Sequence, residues 1–160
     1  MDPFFVVETA LDFEQASLSL QAAVTSHGFG VLGIHDLGQT LRSKGMAFKE
    51  QCRVFEVCNP KQAYQVLNIQ MKLNMALPCR ISVYTENNHT HIGMIRPEGM
   101  LLALSDDGEL RSIATEVECT MIEIIQTASK VGRPSLVVAT AAALLQPGTG
   151  GAGAGPWWGN

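Results

Sequence analysis

The chain has little charge, and positive charge is the scarcer kind. Charged residues make up 16% of its 160, with 11 Lys and Arg against 15 Asp and Glu. A formal net charge of -4 offers no clustered basic surface to displace counterions from phosphates, so no nucleic-acid partner is expected. Cysteine is sparse as well. Cys52, Cys58, Cys79 and Cys119 include no Cys-x-x-Cys pair, which excludes a zinc ribbon and a thioredoxin-type motif. No apolar run reaches the ~20 residues needed to span a bilayer. The opening MDPFFVVETAL lacks a basic stretch and is broken at Glu8, unlike a signal peptide. A reduced, cytoplasmic protein is the expectation. There is also no glycine-rich phosphate loop, no Gly-x-Ser-x-Gly elbow and no carboxylate pair at catalytic spacing. No cofactor is expected.

What is present is a globular pattern, with hydrophobic residues at 46%. Phe4 to Ala10 reads as a strand rich in Phe and Val. Asp12 caps a helix with apolar residues Phe13, Ala16, Leu20, Ala23 and Val24 at helical spacing, and Gly28 stops it. Phe29 to Leu37 reads as a second strand in which Gly30 and Gly33 mark a bend or bulge. The polar stretch from Gly38 to Gly45 reads as a helical turn or an excursion. A third strand covers Gln51 to Val57. Asn59 and Pro60 then open a short helix to about Gln70, with Ala63, Val66 and Leu67 inward. Leu73, Met75 and Leu77 form an irregular apolar patch before Pro78.

Cys79 to Thr85 and Thr90 to Arg96 form a hairpin turning at Asn87 and Asn88. With Glu86 opposite His89, the register puts Ile81, Val83, Ile92 and Met94 on the core face, and Cys79 with them. Arg80, Ser82, Tyr84, Glu86, His89 and His91 take the polar face. Glu109 to Ser129 is a long helix with one apolar stripe from Leu110 to Ala128, and Cys119 lies off it. The domain is therefore expected over residues 1–130. Residues 131–160 are expected to be an apolar stretch, then a flexible glycine-rich tail ending near Trp157 and Trp158. The implied class is α+β, in the order β-α-β(4)-α. A mainly antiparallel sheet is covered on one face by helices, with a short extra helix after the third strand.

The stretches HGFGVLGIHDLGQTLRSKG, VFEVCNPKQAYQVL, MALPCRISVY and IGMIRP together resemble the family catalogued as domain of unknown function 302. The resemblance runs from about Phe4 to Ala128. It implies a TATA-binding-protein-like fold, a homodimer, and small bacterial or archaeal relatives, with no established activity.

Three places carry candidate chemistry. Cys58 and Cys79 fall at one end of the sheet if their strands are neighbours. Cys58 also precedes a helix N-terminus, which can favour a thiolate. A thiol pair for redox or sulfur transfer is one reading, and two small buried apolar residues is the other. His89 and His91, two apart on one strand, could chelate a soft metal with Glu86. Asp36 and Lys44 match the family pattern, and the resemblance implies for them a structural ion pair or a small-ligand contact. The leading expectation is a non-enzymatic, dimeric domain that binds a small ligand or a partner near Cys58, Asn59 and Cys79. A thiol-dependent protein using Cys58 and Cys79 is the alternative, and a soft-metal binder the weaker one.

Overall fold

Local signals place most elements. In the computed structural model, which describes residues 1–130, Asp12 and Gln15 form a reciprocal capping box that opens α1 (Phe13–Ser26). Gly28, at φ +80°, ends it in a conformation that a side chain would strain. α1 joins β1 (Phe4–Thr9) to β2 (Gly30–Asp36). After α2 (Leu37–Ser43) come β3 (Cys52–Cys58) and α3 (Pro60–Ile69), then a 3-10 turn over Met71–Ala76. β4 (Cys79–Glu86) and β5 (His89–Ile95) follow, then α4 (Pro97–Leu104) and α5 (Gly108–Ser129). The stretch 131–160 and the domain boundary expected before it lie outside the described residues.

The five strands make one sheet in the order β1-β5-β4-β3-β2, and every neighbouring pair is antiparallel. β1 and β2, consecutive in sequence, are therefore the two edges, and α1 crosses the sheet between them. The hairpin register matches the expectation, with Glu86 opposite His89 and Val83 opposite Ile92. Asn87 and Asn88 take φ of 52° and 67°, the paired left-handed geometry of a tight two-residue hairpin. In β2 the register shifts between Val31 and Gly33, which is the bulge the glycines signalled.

Strand alternation sends Phe55, Val57, Ile81, Val83, Ile92 and Met94 toward the helices, where all are buried. The α5 stripe meets them with Leu110, Ile113, Met121, Ile124 and Ile125, also buried. Each fully buried aliphatic side chain here contributes about 1.5–3 kcal/mol. The other face of the sheet has no helix over it among the described residues. It leaves Phe4, Val6 and Ile95 exposed at 55%, 43% and 54%.

Two expectations change. Pro97–Leu104 is helical although no helix was expected there. Arg96, at its N-cap, makes no side-chain cap hydrogen bond. The cap comes instead from α5, where buried Glu118 accepts from the Glu98 backbone N–H at 3.0 Å and from Arg96 Nη1 at 2.8 Å. The apolar patch before Pro78, expected to be irregular, includes the 3-10 turn over Met71–Ala76, with Leu73 buried and Met75 79% exposed.

Candidate functional site

Pairing of β3 with β4 sets Val57 opposite Cys79, so Cys58 lies one residue beyond. The two cysteines do share one end of the sheet, as expected. Residue alternation puts Cys79 on the core face with Val57 and sends Cys58 to the other side of β3. A cavity of about 30 Å³ opens at this end. Cys58, Asn59, Gln62 and Cys79 line it, with Phe29, Val66, Leu101 and Val117 among its apolar walls.

The electrostatics favour neutral thiols. Burial pushes the Cys58 thiol up. Burial, and then neighbouring Cys58, push the Cys79 thiol up to about 11. The thiolate expected of Cys58 from its place before a helix is not supported, for a local reason. Asn59 Oδ1 accepts from the Lys61 and Gln62 backbone N–H groups at 3.1 and 3.2 Å, so the first free donors of α3 are occupied by its own cap.

Gln62 is the residue that sequence reasoning missed. It is 9% exposed, and its Oε1 is buried without a hydrogen-bond partner. Leaving such an acceptor unsatisfied costs about 1–3 kcal/mol. The signal was its spacing, four residues before buried Val66 and so on the same helix face.

Asp36 is elsewhere. It lies opposite Arg53, five residues before Cys58 on β3, or roughly 16 Å along the strand. Its side chain caps α2 through Gln39 N–H at 2.8 Å and pairs with Arg53 Nε at 3.1 Å. The ion pair of Asp36 is thus with Arg53, not with Lys44, which is exposed at the end of α2. Arg53 also reaches Glu14 at 2.8 Å and lies 4.5 Å over the Phe13 ring. Its hydrogen bond, above all, holds the Glu14 carboxyl below the usual range.

The histidines are engaged on the open face. His89 pairs with Glu8 at 2.7 Å, and the His91 ring stacks on Tyr84 with centroids 5.1 Å apart. Among the described residues, no three His, Cys, Asp or Glu side chains stand together as metal ligands, so His89, His91 and Glu86 do not form a trio. No helix among the described residues is long and apolar enough to cross a membrane.

Comparison with known proteins agrees with this architecture. No curated protein matches the chain significantly. A crystal structure of an uncharacterised conserved DUF302 protein from Bacillus stearothermophilus is similar to it at 30% sequence identity. The TM-score is 0.76, over 80% of this chain and 99% of that one. The family described as domain of unknown function DUF302 matches residues 5–128. The chain, from its first strand to the last turns of α5, belongs to the DUF302 family.

Proposed function

We propose that this chain is a small binding domain rather than a catalyst. It acts as a homodimer and takes a small molecule at the Cys58–Cys79 end of the sheet. The observation that carries the reading is the cavity there, with apolar walls and with Cys58, Asn59, Gln62 and Cys79 among its lining residues. The site keeps Cys58, Asn59 and Cys79, adds Gln62, and leaves Asp36 and Lys44 to the opposite end. A thiol-dependent reaction asks for thiolate at neutral pH, and burial works against that at both cysteines. Xenon pressed into methyl-labelled protein should give saturable NMR shifts confined to Val57, Val66, Leu101 and Val117. Shifts spread evenly over the protein would count against the site.

The homodimer draws on the helix-free sheet face, where exposed Phe4 of β1 lies opposite exposed Ile95 of β5, with Val6 nearby. Sedimentation should find a dimer for the natural chain and a monomer for Val6→Lys. A natural chain that stays monomeric at the highest soluble concentration sinks this part of the reading.

A further inference from the structure

The two edges of the sheet differ in what guards them. β2 is bulged between Val31 and Gly33, whereas β1 pairs with β5 over all six of its residues without a shift. Bulges, proline and lysine blunt an edge against further pairing, and the FFVVET of β1 has none of them. Arg96 N–H donates to Pro3 O at 2.8 Å. By alternation, Phe5, Val7 and Thr9 then bond to β5, while Val6 and Glu8 turn their backbone N–H and C=O groups outward. Phe4 N–H also points outward, and Asp2 Oδ1 accepts from it at 2.9 Å. Among the described residues, nothing pairs with the outward groups of Val6 and Glu8. On the helix side of the same strand, Phe5 and Val7 are only partly buried, so the core is also thinly covered at this edge.

The chain leaves the described fold beside that edge. Thr9, the last residue of β1, donates from Oγ1 to the carbonyl of Ser129, the last residue of α5, at 2.8 Å. Lys130 is already extended, at φ -75° and ψ 134°. The sequence continues through Gly132, Arg133 and Pro134 to SLVVAT at 135–140, six residues without charge, glycine or proline. Val137, Val138 and Thr140 are β-branched, which suits a strand. Residues 131–134 can span up to about 13 Å, more than the ~4.8 Å between neighbouring strands. We propose that residues 135–140 add to β1 as a sixth, antiparallel strand. That strand runs parallel to β5, with α5 crossing over between them. β1 and β2 are parallel in the same way and are joined by α1, which packs against α5. From one connection to the other, both the strand direction and the side stepped towards reverse, so the hand is the same, as such connections require. The addition gives Val6 and Glu8 their missing backbone partners and covers Phe5 and Val7.

Amide exchange of the full-length protein, followed residue by residue by NMR, tests this. The comparison is a double variant, Val137→Pro with Val138→Pro, because one of those two N–H groups must face β1. The Val6 and Glu8 amides should exchange at least about tenfold more slowly in the natural chain than in the variant. The Phe5 and Val7 amides, held by β5, should exchange alike in both, and no rate should depend on protein concentration. Fast exchange at Val6 and Glu8 in the natural chain overturns the proposal, as does equal protection in the variant. Protection that grows with concentration assigns the edge to a second copy and overturns it as well. Should the variant fail to fold, the natural chain decides alone: without cross-strand contacts from Val6 or Glu8 to residues 135–140, the proposal falls.

Discussion

Near its start β3 carries Arg53, whose guanidinium pairs with Glu14 and Asp36 and covers the Phe13 ring. At its last residue it carries Cys58, beside a cavity lined in part by Gln62, whose buried Oε1 has no partner, and burial raises the pKa of both thiols there. The first end joins three elements, α1, β2 and β3, through groups that satisfy one another. The second end leaves a buried polar atom unsatisfied. A buried unsatisfied acceptor lowers stability, and such local cost is found more often where a protein binds something than where it only holds itself together. The two ends of one strand therefore differ in how fully their polar groups are satisfied.

The largest expected effect sits at the cavity end. Cys79 has a folded-state pKa of about 11, above the ordinary thiol value of ~9. Its contribution is therefore fully present below ~9 and is lost as pH rises through about 11. Denaturant titrations across that window should show about 2–3 kcal/mol of alkaline destabilisation, and Cys79→Ala should lack this leg. An identical slope in the variant would mean that another group titrates.

Next comes the opposite end. Arg53→Met keeps the stem over Phe13 but removes both ion pairs, and should cost about 1–2 kcal/mol in urea unfolding. It should also change the acid limb. Glu14 has its carboxyl pKa lowered, first by the hydrogen bond from Arg53. That contribution is present above the unfolded carboxylate value and is lost as pH falls through the folded one. The variant should be flatter there, and an unchanged acid limb would show the pair to be idle.

The smallest effect is the one that sharpens the contrast. Gln62→Met removes an unpartnered acceptor, so stability should stay level or rise by up to ~1 kcal/mol in urea unfolding. A clear loss would mean that the Gln62 amide is already satisfied and that the two ends do not differ as described.

Much of the scaffold was legible in the chain. Asp12, Gly28, Asn59-Pro60 and Asn87-Asn88 mark boundaries because caps and turns depend on the conformational needs of single residues. The alternation of Ile81 and Val83, and the spacing along α5, name the core because each element can bury only one face. α4 was not legible, since its capping carboxylate comes from Glu118, 20 residues further on. Nor was Gln62, because a polar side chain at a buried helical position reads as solvent-facing until its neighbours are known.

The sequence by itself determined the strands, the two principal helices, the hairpin register and the placing of Cys58 and Cys79 at strand ends. These follow from contacts within a few residues and from period. Only the tertiary structure decided that β1 and β2 are opposite edges, that Asp36 belongs to Arg53, and that Cys79 is pushed up to about 11 beside a cavity. Each of these depends on which distant side chains exclude water from a group. Desolvation is set by packing in three dimensions, and no local pattern carries it.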